Sequence, residues 1–480
     1  MAEWPRQTPR ITATHSSRAN SRVTELTGTS TADASDQADS RPGSAPQSSS
    51  PRDLVDTVVS GFGLYYLSSL IVLLGVVFGV DLVRLCTDHP DSTGIVPTTF
   101  AARFAPWDGV WYRRIATQGY SYNPDRMSNV AFFPLYPLSA AGIARLTGLH
   151  IDWAMLLTAH LYLIGAFVLM AAYLQGRTPS LTTATRDCTL LAMGLFPTTL
   201  YFRMSYTESA FLFCMLLAML GMQRRWPNTV IAAAIGLATA SRPVGVALLL
   251  PFAWYLWRQE FPSDRTSLAA GEDDPERSVQ TETGQGSLLR LILRGLFLGP
   301  VCCWGLLGYM AWQWRHLDEP LAFVKTQRHW TERQPPEDRW EYALALATLE
   351  PMRSVYDPDC SCYWARDEPR NNPLLSMQFM NPVLVLLTWV AIAWGALRGI
   401  ITPREMMLSV GLLAIPYVTH AYRACMASEA RYAAVVFPFY IVLGTALSRC
   451  PDAIRTMFYS GSAVLLGLYS ALFVSWYWFY

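Results

Sequence analysis

The run VVSGFGLYYLSSLIVLLGVVFGVDLVRL, residues 58–85, decides the architecture. It is apolar and carries no charge before Asp81. A bilayer core of about 30 Å needs about 20 apolar helical residues, and this run supplies them. Ahead of it, residues 1–53 are rich in Ser, Thr, Arg, Pro and Asp, without aromatic or aliphatic clusters. Such a segment buries too little apolar surface to offset its ordering entropy, so it reads as a disordered cytoplasmic tail. The first apolar run begins only near Leu54, which argues against a signal peptide. Behind it follow apolar runs at 153–175, 188–203, 209–223, 229–241, 244–257, 291–312, 383–397, 406–420, 432–447 and 457–476. The pattern predicts an all-α polytopic membrane protein with about eleven transmembrane helices, within a range of roughly nine to twelve. Several runs are short for a lipid-facing span. Short or broken spans are tolerated where they line a protein-enclosed cavity.

Composition agrees. Of 480 residues, 52% are hydrophobic and 15% charged, against about 25% charged in soluble domains. The formal net charge of +1 gives no field suited to nucleic acid. Nine cysteines are present. Cys188, Cys214, Cys302 and Cys303 fall in or beside apolar runs and read as buried small hydrophobes. Cys360 and Cys362 flank a serine in a polar loop. One such pair lacks the four ligands of a zinc site, so they are free thiols or one of them pairs with Cys86 or Cys425. No metal site is expected.

Basic residues in short loops orient the chain. With the tail in the cytoplasm, Arg177 and Arg186, Arg224 and Arg225, Arg398 and Arg404, and Arg449 and Arg455 all fall on the cytoplasmic side. So does the polar connector 258–290. The opposite face receives two long loops, 86–152 and 313–382, within a membrane domain spanning 54–480. Segment 131–148 would invert this order if it crossed. Its prolines and Arg145 fit an interfacial or re-entrant helix.

The polar residues of that outer face are the chemical candidates. Asp108 lies between Trp107 and Gly109, walled by Trp111 and Tyr112. Desolvation there moves a carboxylate toward the general-base range; the plain alternative is a helix N-cap. Arg113 and Arg114 hold a phosphate or snorkel to headgroups. Arg203 and Glu208 stand between apolar runs, where a structural ion pair is the plain alternative. Arg242 interrupts an apolar stretch at a Pro243–Gly245 break, a position where an arginine meets an anion or carboxylate inside a bundle. Lys325, the one lysine of the chain, stands near Arg328, His329 and Trp330, a mixture suited to a sugar phosphate. Arg423, Glu429 and Arg431 offer a further anion contact or a local Glu429–Arg431 network. Together these residues suit a phosphorylated lipid substrate approaching one face.

Residues 107–138 carry a resemblance. Trp107-Asp108, Ile115-Ala116-Thr117-Gln118-Gly119-Tyr120 and Ala131-Phe132-Phe133-Pro134 resemble the first luminal loop of the PIG-V family, especially its bacterial mannosyltransferase branch. Tyr206-Thr207-Glu208-Ser209, Ser241-Arg242-Pro243-Val244-Gly245, Ala322-Phe323-Val324-Lys325 and Arg431-Tyr432 look like further landmarks in the same order. The resemblance covers about residues 55–480. It implies a GT-C type membrane glycosyltransferase that takes mannose or another hexose from a polyprenyl or dolichyl phosphate on the outer or luminal face. It implies Asp108 as catalytic base with inversion at the sugar carbon. Trp107, Arg113, Arg114, Glu208, Arg242, Lys325, Arg423 and Arg431 are then expected to bind substrate. The donor lipid is the only small molecule required, with no metal or other cofactor, and the acceptor is a lipid or glycan. The expected setting is a bacterial inner or plasma membrane, or the endoplasmic reticulum membrane in a eukaryote. The chain resembles the bacterial branch more closely, and that branch has no GPI anchor, so the GPI acceptor of the eukaryotic members does not carry over; Val244-Gly245 in place of their Asn-Gly is a further departure. Two other readings share the same cavity: a flippase for a lipid-linked sugar, which needs access from both faces and would favour internal symmetry, and a non-catalytic subunit of a glycosylation complex.

Overall fold

The computed structural model describes residues 51–83, 99–261, 288–366 and 372–477, and among them every regular element is helical. The expected tail, as far as residue 50, and residues 262–287 of the polar connector lie outside the described residues. The chain opens with α1 (Pro51–Leu82). The first long loop holds α2 (Asp108–Gln118) and α3 (Leu135–Thr147). A core series follows: α4 (Ile151–Gln175), α5 (Thr183–Leu195), α6 (Glu208–Gln223), α7 (Asn228–Ser241) and α8 (Leu249–Glu260). Next come α9 (Leu288–Cys302) and α10 (Trp304–Leu317), then the second long loop with the short α11 (Ala322–Lys325), α12 (Arg339–Ala347) and α13 (Glu350–Ser354). The last group is α14 (Met377–Leu397), α15 (Pro403–Pro416), α16 (Glu429–Ala434), α17 (Phe437–Leu447) and α18 (Asp452–Val474).

Among the described residues four helices, α1, α4, α14 and α18, are long and apolar enough to cross a membrane. The count rises to six if each of two bent pairs is one span: the turn Pro197–Arg203 with α6, bent by 95°, and α9 with α10, bent by 57°. The chain is therefore a multi-pass integral membrane protein, and its described helices give four to six spans by length and composition against the expected count of about eleven. The physical reason is visible at the breaks. Pro197 follows α5, Pro243 follows α7 and Pro300 sits at the end of α9. Each proline removes a backbone donor and crowds the preceding turn. The apolar runs are real, yet many are cut into helices of 11 to 16 residues, too short alone for about 30 Å of lipid. Within segment 131–148 the chain forms a 13-residue helix, α3.

Helix packing uses small residues where backbones must touch. A Cβ on Gly75 would stand 2.3 Å from the Gly467 carbonyl oxygen, and one on Gly79 would stand 2.5 Å from Ala471 Cα. Gly75 and Gly79 are four apart on α1, as Gly467 and Ala471 are on α18, so one seam of small residues joins first and last helices. The other side of α1 leaves Phe62, Tyr66, Leu74 and Phe78 exposed, a surface suited to lipid. Cys362 is bonded to Cys425, one of the two partners expected for the pair, and Cys360 is free.

Candidate functional site

The site begins at a strained turn. Trp107 has φ of +53°, a left-handed conformation that an aromatic L-residue adopts only under outside support. Tyr206 supplies it: its hydroxyl accepts the Asp108 N–H at 3.1 Å and donates to the Pro106 carbonyl at 2.9 Å. The Trp107 ring packs on Trp476 with centroids 5.4 Å apart. Asp108 is thereby the first residue of α2, and no side chain caps that terminus. The N-cap alternative is not realised. The carboxylate turns instead to Arg431, whose Nη1 is 2.5 Å from Oδ2.

Arg431 belongs to α16 and serves two acids. Its Nη1 holds Asp108 and its Nε donates to Glu208 Oε1. The same Glu208 oxygen accepts Arg242 Nη1 at 2.8 Å. Arg242 reaches it because Pro243 ends α7, leaving Arg242 extended at φ −153° and ψ 145°. Arg431 lies over Tyr206 at 4.6 Å and Arg242 over Tyr432 at 4.9 Å, so ring faces complete the cation cage. Side-chain exposure is 0% for Glu208, 4% for Arg431, 10% for Arg242 and 19% for Asp108. The cluster is thus sealed at Glu208 and opens at Asp108. Two carboxylates against two guanidiniums make it formally neutral.

Four sequence-predicted residues from α2, α6, α7 and α16 therefore converge. The others stand elsewhere. Arg113 is ion-paired to Asp152 at 2.9 Å. Arg114 is exposed over Trp111. Lys325 pairs with Glu319 on the exposed surface. Arg423 contacts Tyr342, while its carbonyl accepts the Glu332 and Arg333 N–H groups. Trp107 is buried beneath the turn rather than lining open space. Nor does Arg203 pair with Glu208. It donates to the Thr199 carbonyl at 3.0 Å, to Ser69 at 3.2 Å and to Ser68, so it knits the bend before α6 to α1. Burial sets these choices, because a fully buried guanidinium takes whichever acceptors surround it.

Glu429 makes no pair with Arg431 either. It is 3% exposed, its Oε1 has no hydrogen-bond partner, and burial alone pushes its carboxyl up to about 8. Sequence spacing favoured a local ion network and gave no sign of this. On a six-residue helix, only the packing decides which way each side chain faces.

The two long loops meet beside α2. The Ser128 N–H donates to Thr326 Oγ1 at 3.2 Å, joining the two long loops. Between them Trp111, Phe132 and Trp330 form an aromatic shelf, with Trp111–Phe132 centroids at 5.9 Å and Trp111–Trp330 at 6.1 Å. Phe132 also meets Tyr112 at 5.1 Å, and the Tyr112 hydroxyl is 3.2 Å from Thr207 Oγ1, next to Glu208. The turn ahead of Arg431 holds Cys425, Met426 and Ser428 at positive φ. The Cys362–Cys425 bond and a Gln378 amide donating to the Cys425 carbonyl hold it in place.

Fold and site define a multi-pass helical membrane protein with an acid–arginine cluster at one end of its bundle. No family model and no curated protein matches the chain. Among solved structures it is similar to the oligosaccharyltransferase of Archaeoglobus fulgidus. The crystal structure tethered through a disulfide to an acceptor peptide with the NVT sequon gives 13% identity, 87% coverage of this chain, 55% of that one and a TM-score of 0.43. The apo form gives 12% identity, 86% and 56% coverage and a TM-score of 0.39. The chain spans little more than half the length of that enzyme.

Proposed function

We propose that the protein is a GT-C type glycosyltransferase of the PIG-V kind. It transfers a mannosyl or other hexosyl residue from a polyprenyl or dolichyl phosphate to a lipid or glycan acceptor on the outer or luminal face. The observation that carries this reading is the sharing of Arg431 between Asp108 and Glu208. Glu208, itself held by Arg242, holds Arg431 from behind, so its guanidinium is positioned before substrate arrives. A donor phosphate entering at the open end competes with Asp108 for Arg431. Loss of that contact frees the carboxylate to accept a proton.

The acceptor hydroxyl oxygen then attacks the anomeric carbon and its proton passes to Asp108. The bond from that carbon to the phosphate oxygen breaks, and the lipid phosphate leaves with the electron pair against Arg431. Attack opposite the leaving group inverts the sugar. The shelf of Trp111, Phe132 and Trp330 offers apolar faces on which a hexose stacks. The resemblance of residues 107–134 to the family loop supports the same assignment.

The test is transfer of label from polyprenyl-phosphate [³H]mannose to membrane lipid extract by purified protein and by Asp108→Asn. Label transfer that depends on Asp108 supports the reading. Equal transfer by both proteins removes Asp108 from the chemistry. Absence of transfer by the wild type, with donor flipped across vesicles instead, replaces the enzyme with a flippase.

A further inference from the structure

The opposite end of the bundle carries a second built feature. A cavity of about 780 Å³ opens among the last turns of α4, α6 and α8 and the start of α15. Arg177, Arg225, Arg258 and Arg404 line it, with Gln223 and Tyr255, and no Asp or Glu among the described residues does. Glu208 and Gln223 are the two ends of α6, so about 22 Å of helix separates this cavity from the acid–arginine cluster.

Ordinary helix capping accounts for only part of this lining. Arg258, in the last turn of α8, complements carbonyl ends and needs no ligand. Arg404 is the second residue of α15, where the helix dipole disfavours a cation. It lies over the Tyr255 ring at 6.0 Å. Arg225 is exposed at φ +55°. Neither Arg225 nor Arg404 has an ion-pair partner among the described residues. Arg177 is 3% exposed. Its Nε and Nη2 are anchored on Glu405 at 2.8 and 2.7 Å, and Glu405 also accepts the Tyr173 hydroxyl at 2.8 Å and the Thr402 N–H at 2.6 Å. With that carboxylate fully engaged, Arg177 Nη1 remains buried without a hydrogen-bond partner. Gln223 donates its amide to the Tyr173 carbonyl at 3.0 Å, and its own oxygen has no partner.

Converging guanidiniums repel one another unless an anion joins them, and their forked donors match phosphate oxygens. The unpartnered Gln223 oxygen suits a ligand hydroxyl. Trp254 also lines the cavity, and Trp257 on the same helix is 43% exposed. Tryptophans at one helix end mark the membrane–water boundary, the depth at which headgroups lie. We propose that this cavity binds the phosphate-bearing headgroup of an anionic lipid, in the leaflet opposite the transfer site.

Native mass spectrometry of the full chain in nonionic detergent tests this, with dioctanoyl phosphatidylglycerol, dioctanoyl phosphatidylcholine and inorganic phosphate as probes. Expected is saturable binding of the phosphatidylglycerol, about tenfold weaker in Arg404→Gln and again in Arg225→Gln, and unchanged in Asp108→Asn. Arg225 is exposed, so its variant reads binding without a folding defect. Equal binding by wild type and the Arg225→Gln/Arg404→Gln double variant overturns the site, as does equal retention of phosphatidylcholine. Inorganic phosphate binding as tightly as the lipid overturns the headgroup assignment in favour of a free phosphate.

Discussion

Arg431 sits between Asp108 and Glu208, and the three residues differ in how far they can be altered. Glu208 is fully buried. Removing one partner of a buried ion pair costs about 3–5 kcal/mol through the charge left behind. Asp108 is partly exposed, and its loss leaves Arg431 still paired with Glu208. Asp108→Asn therefore isolates chemistry from folding, and a positioned general base is worth about 10²–10⁴ in rate. Turnover is expected to fall by that order with donor binding retained. Glu429 behaves differently. Its carboxyl is raised to about 8 in the fold, against an ordinary value of about 4.3. The fold binds this proton more tightly than the unfolded chain does. Its contribution to stability is thus complete below about pH 4.3 and is lost as pH rises through about 8. Thermal unfolding between pH 5 and 9 should show wild type losing stability with rising pH and Glu429→Gln losing less. Parallel curves would reject a buried neutral Glu429.

Breaks and small residues govern the elements. The proline that ends α7 also aims a side chain inward: Arg242 reaches Glu208 only because α7 stops. At the seam of α1 and α18 the reverse holds: continuity is kept and side chains are removed. Gly79→Leu forces a branched side chain into a gap that a bare Cβ already overfills, at 2.5 Å from Ala471 Cα. Overpacking of this kind costs about 1–3 kcal/mol, so detergent melting should occur several degrees lower. Gly63 has nothing within 4 Å of a Cβ, and Gly63→Ala serves as the control with an unchanged or raised melting temperature. Equal melting of both variants would show that the seam carries no packing.

The whole molecule separates two kinds of polar site. The acid–arginine cluster lies at the starts of α2 and α6, and the basic cavity at the ends of α4, α6 and α8. The Cys362–Cys425 bond holds the turn ahead of Arg431, and such bonds persist on the oxidising side of a membrane. Single accessible cysteines read the sidedness directly, in a background with Cys86, Cys303, Cys360 and Cys450 replaced by serine. An impermeant maleimide should label Asp125→Cys, in the first outer loop, in sealed vesicles. It should reach Arg224→Cys, beside the cavity, only after permeabilisation. Labelling of both from one side would defeat the proposed topology.

Much of this was legible in the chain itself. Long apolar runs require a membrane, because about 20 uncharged residues have no other stable use in water. Asp108, Glu208, Arg242 and Arg431 stood out because charge beside apolar sequence is costly unless paired. The pairing itself was not legible. Arg431 lies more than 200 residues from Glu208 and 323 from Asp108, and local spacing pointed to Arg203 and Glu429 instead. Span count, the α1–α18 seam, the burial of Glu429 and the cavity of arginines also depend on which faces meet. Sequence determines which residues must leave water; only the tertiary packing decides what each of them meets there, since a buried charge takes its partner from space and not from the neighbouring sequence.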